Sequence, residues 1–387
     1  MALCARLFDA LALQMLNVVI GWQVYEQTHD PLYLACIGLA MGIPYITVAL
    51  WAGHVVDRRD KRLIIFIAEG VCFASVATMA ALSLYGTFAL PAVYACLAAV
   101  GLCRSYQFPA IFTYIQFVVP KEMYPKAAAW QTGVFQAATI AGPLLGGAIY
   151  GAAGPGAAYA AIAALLLTAA GTALRMRKIE ALAVRPEGSK LDQFLSGIRF
   201  TFSQPVIVAA MSLDMVGVLF AGVDGVLPIF AARLHVGPIG LGALQAAPAA
   251  GALLCSLYLA QRLLFRRKGA AFLTALGAFG ICLVLFGLSR SFLLSLVLLA
   301  LSGVADGASM VLRSSIYQEL TPEHLRGRVA AVNGIFIRAS NQLGYFESGL
   351  AAKLLGLVPS VVLGGCATLA TVAIAVFRAP ALRRYES

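Results

Sequence analysis

Apolar residues follow one another along this chain in runs of about 20 residues or longer, separated by short polar stretches. Twenty residues of helix rise about 30 Å, which is the hydrocarbon thickness of a bilayer. The stretch 127–174 has no Asp, Glu, Lys or Arg and is interrupted only by GAAGPGAA, so we interpret it as two spans. The pattern predicts an all-α polytopic membrane protein.

The polar interruptions divide the chain into twelve predicted transmembrane helices. Their predicted ranges are 3–26, 31–54, 62–84, 90–118, 127–151, 156–175, 205–231, 238–261, 269–289, 292–319, 328–352 and 357–377. The predicted organisation is an N-terminal six-helix bundle over 1–175, a linker over 176–204, a C-terminal six-helix bundle over 205–377 and a tail over 378–387. Within the linker, LDQFLSGIRFTF has the pattern of an amphipathic helix on the membrane face.

The two halves are related by an internal repeat. A displacement of 202 positions places VPKEMYPKAAAWQTGVFQAATIAG on TPEHLRGRVAAVNGIFIRASNQLG and aligns Arg104 with Asp306. At a slightly different offset, Asp9 falls one residue from Asp214. Such repeats predict two pseudo-symmetric bundles related by an axis along the membrane normal, with the substrate site between them near the midplane.

Charge is sparse but strongly asymmetric. Only 12% of the residues are Asp, Glu, Lys or Arg, and the formal net charge is +11. Most Lys and Arg residues lie in alternate connections, so the positive-inside rule places these connections and both termini in the cytoplasm. The basic residues stand on short membrane connections, which makes nucleic acid an unsuitable partner. We expect a lipid bilayer around the chain and treat it as a monomer.

The motifs of soluble enzymes are absent from the sequence. The eight cysteines occur singly, and the four histidines show no ligand spacing. There is no Walker loop, so we expect no enzyme activity, cofactor, metal or ATP-driven step. The remaining energy source is the proton gradient, in which one charge moving through about 100 mV releases about 2.3 kcal/mol.

Ionisable residues inside the predicted spans are the candidates for mechanism, because each costs about 2.5–3.5 kcal/mol to insert. The proton-coupling candidates are Asp9, Asp214, Asp306 and Glu347. Asp306 and Arg313 are two turns apart on one helix, so we expect them to line a central cavity with Arg104. The alternative is a static buried ion pair that only holds helices together. Glu69 follows a basic loop and is expected to pair with it.

Arginines within the spans suit an acidic substrate, because a guanidinium binds oxygens bidentately and stays charged. The candidates for the substrate cavity are Arg104, Arg313 and Arg338, with Tyr106 and Trp22 as aromatic surface for a ring. The alternative for each aromatic residue is packing against lipid or helices.

Two motifs resemble those of a known family, the major facilitator superfamily. GHVVDRRDKR resembles its signature between the second and third helices, through Gly53, Asp57, Arg58 and Arg62. AGPLLGGAIYG resembles its antiporter motif on the fifth helix. The matching residues are Gly142, Pro143, Gly146 and Gly147, while Ala129 and Ala138 stand where that motif has glycines.

Within this superfamily the chain resembles the enterobactin exporter group, through ARLFDALALQML, LQAAPAAGALL and ELTPEHLRGRVAAVNG. The resemblance implies a bacterial inner-membrane protein that exports a siderophore-like or other amphipathic small molecule in exchange for protons, by alternating access. The same group includes macrolide and other drug exporters, and Arg104 is similar to the fourth-helix motif of drug/proton antiporters. A multidrug exporter therefore stays an alternative, and a non-transporting sensor or a lipid scramblase is an alternative of another class.

The motif GHVVDRRDKR suggests a gating contact as well as an anchor. Gly53 is expected to permit close helix contact, and Asp57 can face a helix N-terminus, where negative charge is favoured. The family pattern implies the start of the eleventh span, near Arg328, as the partner of Asp57. The corresponding loop of the second half, AQRLLFRRKG, has the basic residues without the aspartate.

Overall fold

The computed structural model describes residues 1–178, 190–261 and 267–385, in which every regular element is helical. The α-helices are α1 (Ala2–Thr28), α2 (Pro31–Arg58), α3 (Lys61–Leu84), α4 (Leu90–Val118), α5 (Tyr124–Leu174), α6 (Lys190–Ser203), α7 (Pro205–Ala221), α8 (Leu227–Arg233), α9 (Gly237–Gln261), α10 (Lys268–Leu288), α11 (Phe292–Leu320), α12 (Glu323–Leu355), α13 (Leu357–Arg378) and α14 (Pro380–Arg383). A 3-10 turn, Lys121–Met123, precedes α5. The predicted all-α membrane fold is confirmed.

Local capping explains where the early helices begin. The Asp30 carboxylate accepts a hydrogen bond from the backbone N–H of Leu32 at 2.9 Å, and Pro31 occupies the first turn of α2. Asp60 caps α3 in the same way, through the N–H of Arg62 at 3.0 Å. Part of the charge in GHVVDRRDKR therefore lies at the helix boundaries of the turn. Arg58 is the last residue of α2, and Asp60 caps the start of α3.

Glycines break the helical path at matching places in the two halves. Within α5, Gly154 has φ 79° and ψ 177°, so that the 51-residue element consists of two helices joined at a kink. Gly356, between α12 and α13, has φ 92° and ψ 158°. This backbone region is essentially restricted to glycine. The two positions are 202 residues apart, the displacement of the sequence repeat, and the shared conformation agrees with that repeat.

The number of spans is consistent with the prediction once these breaks are considered. Within the described ranges, nine helices are long and apolar enough to cross a membrane, and a bent pair raises the number to ten. α5 supplies two spans because it is broken at Gly154. α12 has 33 residues, which is long enough to span, but carries many polar side chains. The described helices are therefore consistent with twelve spans.

The predicted seventh span is discontinuous, which corrects the single helix expected over 205–231. α7 ends at Ala221, and α8 starts only at Leu227. Gly222 leaves the helical conformation with ψ 117°. A Cβ on Gly225 would lie 2.6 Å from both the Tyr345 carbonyl oxygen and Ser348 Oγ, so only glycine permits this approach to α12. The exposed Asp224 lies in the break.

The chain forms two compact units. The first comprises Met1–Ala183 and Leu227–Ala246, and the second comprises Val184–Val226 and Ala247–Ser387. In the first unit, α1 packs along α5 and α2 packs along α4, while α3 contacts both α4 and α5. In the second unit, α10 packs against α11 and α13. The domain boundaries derived from the sequence stay a prediction.

The predicted helix of the linker is present as α6. Its last part, Leu195–Ser203, meets α7 at an angle of 99°. Arg328 Nη1, on α12, donates a hydrogen bond to Ser196 Oγ at 2.8 Å. A Cβ on the neighbouring Gly197 would lie 2.9 Å from Arg328 Cβ, so α6 approaches α12 closely. Because of this bend, α6 lies nearly perpendicular to the apolar helix α7. This orientation is expected for an amphipathic helix at a membrane surface.

The described part of the tail packs against the second unit. Leu382 on α14 is fully buried in the core formed by α7, α10 and α11. The Tyr385 hydroxyl donates a hydrogen bond to Glu319 Oε2 at 3.1 Å, and Lys268 forms an ion pair with the same carboxylate. The tail therefore contacts the ends of α10 and α11.

Candidate functional site

A buried ion pair joins α1 and α4 in the first unit. Arg104 Nη1 lies 2.7 Å from Asp9 Oδ1 and donates a hydrogen bond to Oδ2 at 2.9 Å. Arg6 Nη1, one turn before Asp9, is 3.5 Å from Oδ2. Asp9 is completely buried, so two guanidinium groups compensate one carboxylate in an apolar surrounding.

A second buried carboxylate, Glu69 on α3, lies beside this pair. Gln107 Nε2 on α4 donates a hydrogen bond to Glu69 Oε1. The expectation that Glu69 pairs with the preceding basic loop is therefore wrong. Glu69 lies about two turns inside α3, on a face covered by α4, and is completely buried. Its charged neighbours are Asp9, Arg104 and Arg6.

The Arg6 side chain also contacts aromatic rings. Its guanidinium carbon is 5.6 Å from the ring centroid of Phe108 on α4 and 5.6 Å from that of Phe135 on α5. Such contacts stabilise a cation whose hydration is restricted. Sequence reasoning missed this role of Arg6.

The second unit contains a corresponding ion pair. Arg313 on α11 pairs with Asp214 on α7, and their side chains are 7% and 10% exposed. Arg313 thus has its carboxylate partner on another helix. The expectation that Asp306, Arg313 and Arg104 line a central cavity stays a prediction. Asp306 and Glu347 are half-buried and form no ion pair with any side chain that the structure describes. The near-coincidence of Asp9 and Asp214 in the repeat was the available signal for these two pairs.

The residues of the predicted gating loop lie at the junction of α2 and α3. Arg58 is exposed, and Arg62 is about one-third exposed. Among the described atoms, nothing lies within 4 Å of a Cβ added to Gly53. The expected close helix contact at this glycine stays a prediction. The side chains of Asp57 and Arg338 lie outside the described part of the structure, and their predicted roles stay predictions.

The small residues of AGPLLGGAIYG allow close packing on two sides of α5. A Cβ on Gly142 would lie 2.5 Å from Gln14 Cβ, and one on Gly146 would lie 3.0 Å from the Met15 carbonyl oxygen. Gly147 contacts the Pro238 carbonyl at the start of α9. Pro143 lies within the helix. Close approach at these glycines, which the motif implied, is what the structure shows.

The aromatic candidates have different surroundings. Tyr106 is half-buried and packs against the core cluster that contains Tyr114 and Ile111. Trp22 is half-buried on α1. Tyr106 therefore contributes to packing, and its role toward a substrate stays a prediction, as does that of Trp22.

No group of three His, Cys, Asp or Glu side chains in the described ranges is arranged to hold a metal ion. The acid–base pairs are instead suited to binding a proton or an anionic group, because a proton on the acid or an anion beside the arginine changes the pairing.

Comparison with known proteins identifies the family. The family model described as Major Facilitator Superfamily matches residues 2–345. The chain belongs to this superfamily. It is therefore a multi-pass membrane transporter that moves small molecules across the bilayer, and it is not an enzyme.

Relatives and solved structures agree with this membership. The chain is 25% identical to the enterobactin exporter EntS of Citrobacter koseri, over 91% of this chain and 83% of the relative. It is 28% identical to the multidrug efflux pump Tap of Mycolicibacterium fortuitum, over 88% and 85%. A bacterial homologue of the lysosomal transporter Spinster shares the fold, with a TM-score of 0.74, 14% identity and 98% and 95% coverage. The nucleoside transporter NupG also shares it, with a TM-score of 0.70, 14% identity and 100% and 98% coverage.

Proposed function

We propose that this transporter is a proton-driven exporter of a siderophore-like or similar amphipathic molecule, which works by alternating access. Export is supported by two relatives, an enterobactin exporter and a multidrug efflux pump, that match about nine-tenths of the chain. Proton drive is supported by the carboxylates placed inside the apolar helices, since such groups are costly to insert and usually mark ion or substrate pathways.

The observation that carries the proposal is the pair of buried acid–base contacts, Asp9 with Arg104 and Asp214 with Arg313. Each of these ion pairs has no net charge as long as its acid is ionised. Protonation of the acid releases the arginine, which can then bind an anionic group of the substrate. Asp306 and Glu347 remain further proton-coupling candidates, because no described basic side chain compensates them.

The proposed substrate is acidic and carries aromatic rings. Arg104 and Arg313 offer guanidinium groups inside the membrane helices, and we assign the same role to Arg338. Tyr106 and Trp22 are proposed to contact the rings of the substrate. Arg6, held between Phe108 and Phe135, shows that cationic and aromatic groups meet in the first unit.

The proposed placement is the bacterial inner membrane, with both termini and the basic connections in the cytoplasm. It follows from the distribution of Lys and Arg. In this orientation Asp57, Arg58 and Arg62 lie on the cytoplasmic side, where Asp57 is proposed to hold one state of the transport cycle closed.

A transport assay with purified protein in proteoliposomes tests the proposal. We expect accumulation of a catechol-bearing siderophore when a pH gradient is imposed, and counterflow of the labelled siderophore without one. Absence of any response to the gradient would refute proton drive. Phospholipid flipping without siderophore movement would show a scramblase, and failure of both counterflow and flipping would favour a sensor.

A multidrug exporter is the second candidate, favoured by the relative Tap and by Arg104, which is similar to the motif of drug/proton antiporters. The same vesicles discriminate the two. Preference for a lipophilic cationic dye or a macrolide over the siderophore would identify a drug pump.

A further inference from the structure

Glu69 and Gln107 present an incomplete hydrogen-bond pattern in a fully buried place. The Gln107 amide donates to Glu69 Oε1, but Glu69 Oε2 and Gln107 Oε1 are buried and have no hydrogen-bond partner among the described atoms. Both of these oxygens are acceptors when Glu69 is ionised. The contact therefore lacks one donor, and a buried acceptor without a donor costs about 1–3 kcal/mol.

A single proton on Glu69 supplies the missing donor. A protonated carboxyl has one O–H donor and one carbonyl acceptor, and a primary amide has the complementary acceptor and donors. The neutral acid can therefore form two hydrogen bonds with Gln107, where the carboxylate forms one. Rotation of the two terminal groups suffices, because both torsions are broad.

The charged neighbours do not provide this donor. Asp9 takes Nη1 of Arg104 and Nη1 of Arg6, at 2.7 and 3.5 Å. Arg104 Nε is buried and has no hydrogen-bond partner among the described atoms, so it does not bond Glu69 either. Among the described side chains, no Lys, Arg or His forms an ion pair with Glu69 within 4 Å. The thiols of Cys72 and Cys103, hydrogen-bonded to each other, are the other titratable groups nearby.

The remaining helices that pack against α3 offer little further charge. α5 has no Asp, Glu, Lys or Arg between residues 127 and 174. The acidic and basic residues of α2, Asp57 and Arg58, are at its C-terminal end. With Glu69 ionised, the cluster of Arg6, Asp9, Glu69 and Arg104 has no net charge. With Glu69 protonated, the same cluster has a net charge of one positive unit.

We propose that Glu69 is a proton-binding site of this transporter and that Gln107 recognises its protonated form. An O–H bond forms on Glu69 Oε2 with a proton taken from water, and the same bond breaks when the proton returns to water. When the proton binds, the two arginines of the cluster outnumber its ionised acids by one. Arg104 can then bind an anionic group. That last link rests on the proposed proton-driven transport, whereas proton binding at Glu69 does not.

Infrared difference spectroscopy during a pH titration tests the site without any substrate. The protein in lipid nanodiscs is compared with Glu69→Gln, Gln107→Leu and the exchange variant Glu69→Gln/Gln107→Glu. We expect a carboxylic acid C=O band that disappears in Glu69→Gln. In Gln107→Leu it moves to higher frequency because hydrogen bonds are lost. In the exchange variant, which has one acid and one amide at the same place, the band returns.

An unchanged titration spectrum in Glu69→Gln would overturn the proposal. If Glu69→Gln does not fold, the exchange variant tests the proposal instead. A folded exchange variant that lacks the carboxylic acid band would contradict a proton-binding site at this place. The proposed function fails separately. If transport does not respond to a pH gradient while the Glu69 band is present, proton coupling is refuted and the proton site remains.

Discussion

Arg313 on α11 forms an ion pair with Asp214 on α7, and both side chains are at least nine-tenths buried. The first unit has the same relationship between Arg104 on α4 and Asp9 on α1. In each half the acid is on the first span and the base is on the fourth. Arg104 aligns with Asp306 in the repeat, so the base of the second half stands seven residues, or about two turns, further along its helix.

Asp214→Asn is expected to destabilise the protein strongly. It leaves the buried Arg313 charge without a carboxylate, a change that costs about 3–5 kcal/mol when a buried pair is broken from one side. Thermal unfolding of the purified protein in detergent measures the loss. The matched double variant Asp214→Asn/Arg313→Gln removes both charges and should recover much of the stability. Equal losses in the single and double variants would contradict the ion pair.

Gly154→Ala is expected to destabilise the protein through the backbone alone. The conformation at Gly154 costs a residue with a side chain about 1–3 kcal/mol, and a Cβ there meets no described atom within 4 Å. Gly171→Ala is the control, because Gly171 lies in the helical part of α5 and a Cβ there also meets nothing. Gly356→Ala should repeat the loss in the second half. Equal unfolding temperatures for the Gly154 and Gly171 variants would exclude the strained conformation.

Ser196→Ala is expected to loosen α6 from α12. The substitution removes the acceptor of the hydrogen bond from Arg328, which contributes about 1 kcal/mol. Hydrogen–deuterium exchange of the α6 amides should become faster, while exchange in α1 is unchanged. Ser203→Ala serves as control, because the Ser203 hydroxyl donates to the Phe200 carbonyl within the same helix. The same exchange rate in both variants would show that the Arg328 contact does not hold α6.

Tyr385→Phe is expected to weaken the attachment of the tail and to remove its pH dependence. Burial raises the pKa of Tyr385 above the usual value of about 10, and the hydrogen bond to Glu319 raises it further. Because the pKa in the folded state is the higher one, the stabilisation is fully present below the usual value and is lost as the pH rises through the folded value. A fluorophore on the tail reports its release. Release at the same alkaline pH in the phenylalanine variant would contradict this role.

Much of the helical pattern follows from the sequence, because apolar length and turn residues determine where a membrane helix begins and ends. The fourth span, predicted over 90–118, is α4 at Leu90–Val118. The break in the seventh span was missed, because Gly222 and Gly225 are also common inside membrane helices. The close approach of Gly225 to Tyr345 at the break depends on packing against α12, which the local sequence does not reveal.

The buried charges of the candidate site were predictable as a set, but their partners were not. Arg104 and Asp9 are 95 positions apart, and which residues meet across such a distance depends on how the helices pack. Glu69 shows the same limit. Its place after a basic loop suggested a local partner, whereas the fold presents it to Gln107 on the next helix.

The matching glycine kinks at Gly154 and Gly356 bear on how the two halves of the chain are related. A conformation that only glycine adopts readily recurs at the 202-residue displacement, as expected for two halves that arose by duplication of one six-helix unit. The acids stand on corresponding helices at almost corresponding positions, while the second arginine stands two turns away from its counterpart. The backbone turn is therefore matched more closely between the two halves than the placement of the charges is.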